Sequence, residues 1–185
     1  TLFRSNPIVL ELGCGKGEYS VGLAKAFPEK NFIGLDIKGA RFWFGAKEAI
    51  QENINNVAFL RTQIELIDCF FEENEVDEIW ITFPDPQIKY RRTKHRLTHP
   101  DFLSRYRKIL KPDGIIHLKT DSEFLHGYTL GLLQGLGCEI LTAHHDIYGA
   151  IEYEPDTPLL RGIQTHYEEL FSAKGKLITY IKFRL

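Results

Sequence analysis

Apolar residues in the 185-residue chain fall into two kinds of stretch: short continuous runs, and longer segments where they recur every three or four positions. The runs IVLEL (8–12), NFIGLDI (31–37), VAFL (57–60), VDEIWITF (76–83), GIIHLKT (114–120), CEILTA (138–143) and LITYIKF (177–183) are short and rich in β-branched and aromatic residues, and predict strands. Between them, Tyr19, Leu23, Ala26 and Phe27 give residues 17–27 helical spacing, and residues 40–52, 101–110 and 123–136 also read as helices. The segment DFLSRYRKIL (101–110) sets an apolar face against a basic one. Strand and helix in alternation, joined by short connections, predict a doubly wound α/β fold with a mostly parallel sheet covered on both faces. No helical pattern separates the last two runs, so one of them is expected to be antiparallel, at or near an edge. Sheets of this kind bind ligands beyond the C-terminal ends of their strands. The residues that follow each run are therefore where chemistry is to be sought.

Length and composition narrow the class. One domain spanning 1–185, 43% hydrophobic and 26% charged, can bury a single ordinary core. No run of about 18 apolar residues is present to span a membrane. Cys14, Cys69 and Cys138 are odd in number and lack metal-ligand spacing, which favours a reduced, cytoplasmic setting over a disulfide frame. No signal pattern opens the chain, and a start at Thr1 without any Met leaves room for a further N-terminal arm. Charge is the more informative property. The net charge is −2, yet residues 89–111 hold nine of the 23 Lys and Arg and only one acid, Asp101. An acidic body with a single basic face attracts polyanions at one place.

At the end of the first run, ELGCGKGE places Gly13, Gly15 and Gly17 where a backbone can turn sharply and approach a ligand. A dinucleotide loop would continue G-x-G-x-x-G, but the third position after Gly15 is Glu18, and no P-loop pattern is present. With Glu11 on the other side of the glycines, the loop suits a cationic ligand better than a pyrophosphate. Asp36, ending the second run, can accept both hydroxyls of a ribose. Gln63, after the third run, can meet an adenine edge. Together these positions fit a nucleoside without a phosphate, and S-adenosyl-L-methionine, a sulfonium, is the matching candidate. The fourth run ends in TFPDP, where the two prolines should hold Phe83 and Asp85 extended and restrain the Asp85 carboxylate.

These residues resemble a known family. ELGCGKG, FPDP, a basic run, HLKTD and THYEE stand in the order found in bacterial tRNA (guanine-N7-)-methyltransferases, over nearly the whole chain. The resemblance implies a Rossmann-like methyltransferase fold of seven strands with the last antiparallel, and methyl transfer from S-adenosyl-L-methionine to N7 of a guanine in the tRNA variable loop. By position it implies that Glu11, Asp36, Gln63 and Asp85 line the cofactor site beside the glycines, with Asp85 also the catalytic candidate. It also implies that Lys89, Asp121, Thr165, His166, Tyr167 and Glu168 meet the tRNA or its target base. This chain departs from the family at Gln87 and Ile88, where tryptophan usually follows the motif, in the spacing of KYRRTKHR, and at Gln63, where aspartate is common.

N7 of guanine carries a lone pair at neutral pH, so attack needs no general base, and positioning carries most of the catalysis. Asp85 and Asp121 are expected to accept from the guanine N1–H and amino group as charge develops on the purine. Arg91, Arg92, Lys94 and Arg96 are expected to hold phosphates. Plainer readings remain for some positions. Asp121 is also a helix-cap candidate, Thr165 and Glu168 also read as a capping box, and Tyr90 and Tyr106, which could stack on bases, read more simply as packing residues. No metal is expected, since His144, His145 and Asp146 are adjacent and Cys138 is distant. The residues alone leave open a methyltransferase of another RNA or a small molecule, and a non-catalytic RNA-binding protein. They do not decide between monomer and homodimer.

Overall fold

A computed structural model describes residues 6–149 and 157–185. The strands β1 (Ile8–Leu12), β2 (Asn31–Asp36), β3 (Val57–Arg61), β4 (Val76–Thr82), β5 (Leu110–Thr120), β6 (Glu139–His144) and β7 (Thr179–Arg184) form one sheet. Their order is β3-β2-β1-β4-β5-β7-β6. Pairs β1–β2, β1–β4, β2–β3 and β4–β5 are parallel, whereas β7 runs antiparallel to both β5 and β6. The expected antiparallel strand is thus β7, one place in from the edge strand β6.

Helices α1 (Glu18–Ala26), α2 (Gly39–Gln51), α3 (Pro100–Ile109) and α4 (Glu123–Gly135) fall where the spacing predicts them. Two more, α5 (Thr157–Gly162) and α6 (His166–Ser172), lie between β6 and β7, where the sequence shows no helical pattern. Each has fewer than two turns, too few for a 3.6-residue period to register. The strand β5 also begins four residues earlier than expected, with an irregular register between Val76 and Glu78 opposite it.

Strand alternation sends side chains to two apolar layers. Leu10, Leu12, Ile79, Ile81 and Leu118 pack on one face with Phe102 and Tyr106 of α3 and Leu125 and Leu133 of α4. Val9, Trp80 and Tyr180 pack on the other with Tyr19, Leu23 and Ala24 of α1. Every residue of the central strand β1 is buried, as expected of a strand covered on both faces. Register sets the functional rim: Leu12 pairs with both Leu35 and Ile81, and Thr82 pairs with Lys119. The chain therefore leaves β1, β2, β4 and β5 at nearly the same level, which brings Gly13, Asp36, Phe83 and Asp121 to one end of the sheet.

Candidate active site

Over that end opens a cavity of about 760 Å³. The turn after β1 forms its floor. Gly13 and Gly15 have φ of +76° and +55°, a region that disfavours side chains, and a Cβ built on either meets no protein atom within 4 Å. Both line the cavity, so together they are a bare-backbone cradle open to a ligand. Gly17 has a different task. A Cβ there would come within 2.6 Å of the Phe59 ring, and the residue does not line the cavity. It lets α2 and β3 pack against the loop and is dropped from the expected ligand contacts.

Two buried carboxylates brace this floor. Asp36 accepts from Gly15 N at 3.0 Å through one oxygen and from Lys38 N at 2.8 Å through the other. Glu11 sits on the α1 face of β1, where one oxygen accepts from the backbone N–H and hydroxyl of Ser20 and the other from the Thr82 hydroxyl. Burial pushes the Glu11 carboxyl up to about 7, and these hydrogen bonds only partly offset it. The group is therefore held close to neutrality and would ionise on meeting a cation. Each carboxylate keeps lone pairs beyond those engaged, and both line the cavity. Glu18, also in the lining, accepts from His166 N at 2.9 Å and ties the glycine loop to the opposite wall.

The roof is the FPDP turn after β4. Phe83 adopts a φ of +47°, not the extended conformation expected before proline. Its N–H donates to Lys119 O, continuing the ladder one residue past the strand, and the chain then has to reverse sharply over the rim. Asp85 is exposed, lines the cavity, and accepts from Gln87 N at 3.0 Å through one oxygen. Its other oxygen has no partner among the described residues. Gln87, also at positive φ, is fixed from below by Arg96, whose guanidinium donates twice to Gln87 O and stacks on Phe124 and Tyr128. Arg96 is only 5% exposed. The expected phosphate contact is a strut inside the turn, a correction that follows from the aromatic pocket α4 provides.

Asp121 and Thr165 to Tyr167 form the far wall. Asp121 pairs with Lys176 at 2.6 Å, and Ser122 caps α4 instead. Thr165 caps α6 through Glu168 N, in line with the capping reading of that residue. The Glu168 side chain does not complete the capping box and does not face the cavity. It is fully buried, 2.8 Å from the equally buried Lys119 ammonium, and accepts from the Tyr148 hydroxyl at 2.7 Å. Lys119 also donates to Leu160 O and Ile163 O, so α5 and α6 fold around one lysine. The expected tRNA contact by Glu168 is thereby overturned. Gln63 is exposed at the start of the 3₁₀ turn Ile64–Cys69, just outside the cavity lining, and Ile64 provides the wall there.

The basic run divides in two. Arg105 and Lys108 pair with Asp68, and Lys111 pairs with Asp77, which neutralises most of its distal half. Lys89, Arg91, Arg92 and Lys94 are exposed on and beside the 3₁₀ turn Tyr90–His95 and have no acidic partner among the described residues. Ile88 and His95, flanking this segment, line the cavity, so the unpaired cations stand at its rim. Sequence reasoning misses Lys119, although a lysine next to the end of an apolar strand run is itself a signal of a buried partner.

Known proteins share this architecture and this sequence. A family model described as "Putative methyltransferase" matches residues 5–181. A tRNA (guanine-N(7)-)-methyltransferase of Christiangramia forsetii is 68% identical over 182 residues, 98% of this chain and 80% of that protein. One from Porphyromonas gingivalis is 57% identical, covering 98% of this chain and 72% of the relative. Among solved structures, the 16S rRNA methyltransferase KamB superposes with a TM-score of 0.72 over all of this chain and 91% of its own, at 14% identity, a likeness of fold. With identity at this level over almost the whole chain, glycine cradle, FPDP turn and basic segment included in the matched span, the chain belongs to the tRNA (guanine-N(7)-)-methyltransferase family.

Proposed function

We propose that this protein transfers a methyl group from S-adenosyl-L-methionine to N7 of a guanine in the variable loop of tRNA, in the cytoplasm. The observation that carries the reading is one cavity in which a bare glycine cradle and several carboxylates adjoin a rim of unpaired cations. The donor set fits the methyl donor. Gly13 and Gly15 admit close approach, Asp36 keeps lone pairs for a ribose, and Glu11 gains charge when a cation arrives. S-adenosyl-L-methionine, when bound, supplies an electrophilic methyl on a sulfonium.

The remaining chemistry is positional. The free oxygen of Asp85, with Asp121 across the cavity, would accept from the N1–H and amino group of guanine, leaving N7 on the opposite edge for attack. A carboxylate fixed at that edge stabilises the cationic 7-methylpurine more than the neutral base, which is a preference for the transition state. His166 and Tyr167, on the far wall, complete the base site. Lys89, Arg91, Arg92 and Lys94 would hold the phosphates that bring the base in. The test is direct: purified protein, labelled methyl donor and unmodified tRNA, digested to nucleosides. Label in 7-methylguanosine is the expected product. Label in another nucleoside, or transfer that ignores added tRNA, rejects the reading.

A further inference from the structure

The cationic rim carries two residues that charge does not explain. Ile88 is 67% exposed and Tyr90 93% exposed, on a segment whose other exposed side chains are the cations Lys89, Arg91, Arg92 and Lys94 and the imidazole of His95. Water is a poor environment for both apolar side chains. The segment is nevertheless held in place. Tyr90 O accepts from the Thr93 hydroxyl at 2.7 Å, Arg92 N donates to Lys89 O, Arg96 N donates to Thr93 O, and Arg96 pins Gln87 at the start. A braced turn that shows an aromatic ring to solvent between cations, with its neighbour Ile88 in the cavity lining, has the properties of a stacking platform for single-stranded nucleic acid.

A guanine that enters the cavity has to leave its own stack, and the base beside it is then left with one face bare. We propose that Tyr90 stacks on the nucleotide adjoining the target guanine and covers the face that this guanine vacates on entering the cavity. The cations on each side hold the phosphates of the same strand, so ring and charges read one segment of RNA. This rests on the tRNA reading above and deepens it, by naming a residue that shapes affinity for the RNA at the mouth of the site.

The experiment measures steady-state methylation by wild type and by Tyr90→Ala, Tyr90→Leu and Tyr90→Phe, with tRNA transcripts carrying 2-aminopurine on either side of the target guanine for fluorescence. Loss of one base–aromatic stack raises KM for tRNA by about 5- to 150-fold in Tyr90→Ala. The same rise is expected in Tyr90→Leu, which keeps an apolar surface without a π face. In Tyr90→Phe the KM stays within about 2-fold of wild type, because the ring and its π face are retained. In all three variants kcat and donor affinity stay at the wild-type level. The fluorescence of one flanking 2-aminopurine changes on binding wild type and Tyr90→Phe, and does not change with Tyr90→Ala. Wild-type KM in both Tyr90→Ala and Tyr90→Leu, or identical fluorescence with and without the ring, overturns the proposal. Should wild type bind tRNA without methylating it, the functional reading falls alone, and the fluorescence still decides the role of Tyr90.

Discussion

Replacing Lys119 with methionine tests whether the wall that carries Thr165, His166 and Tyr167 hangs on a single buried charge. The Lys119 ammonium has three donors and three partners: Glu168 at 2.8 Å, Leu160 O at 2.6 Å and Ile163 O at 3.2 Å. Both side chains are fully excluded from water, and burial draws the Lys119 pKa down while Glu168 draws it back up. Deleting one member of such a pair strands a carboxylate and two carbonyls, at a cost of about 3–5 kcal/mol. For a domain of this size that lowers Tm by about 6–20 °C. Replacing both, as Lys119→Met with Glu168→Leu, removes the stranded charge, so the double variant should melt above the single one despite carrying one more change. The Leu160 and Ile163 carbonyls, which lose their donor in both variants, keep it below wild type. Thermal and urea unfolding of the four proteins closes the cycle. A Lys119→Met variant within about 1 kcal/mol of wild type, or a double variant less stable than either single one, would refute the reasoning.

Three other outcomes follow from the site. Burial raises the Glu11 carboxyl from 4.5 to about 7, so the folded chain holds that proton more tightly than the unfolded one. Without ligand, stability should fall as pH rises from about 4.5 to about 7, by about 3 kcal/mol from this group, and level off above. Glu11→Gln should flatten that slope. Binding of the cationic donor should release a proton below pH 7, which calorimetry in two buffers of different ionisation enthalpy measures; proton uptake would contradict it. Replacing Arg91 and Arg92 by alanine should weaken all tRNAs alike and reduce the slope of log affinity against log salt by about 1–2. The same change at Arg105 and Lys108, paired with Asp68, should shift that slope less.

The sheet was legible in the sequence because parallel strands buried on both faces read as unbroken apolar runs, and long helices show their period. That Glu11, Asp36 and Asp85 would come to one rim was legible for the same reason, since each stands near the C-terminal end of a strand in that sheet. What escaped depended on packing between distant segments. Whether Arg96 reaches outward or lies on Phe124 and Tyr128 is decided by α4, about 30 residues further along. Glu168 has the spacing of a capping box, yet a buried lysine 49 positions earlier outcompetes a backbone N–H for its carboxylate. The spread of charge from 89 to 111 gave no sign that Asp68 and Asp77 neutralise its far half. The helices α5 and α6 were too short for any period to appear.

Asp85 gives the account its most direct test, because the proposed mechanism makes it the carboxylate that turns a bound guanine into a reactive one. Single-turnover methylation of tRNA, with donor and tRNA both saturating, should be slowed by about 10²- to 10³-fold in Asp85→Asn. Affinity for tRNA, set by the cationic rim, should change little. A variant that binds both partners and transfers the methyl group at the wild-type rate would contradict the account.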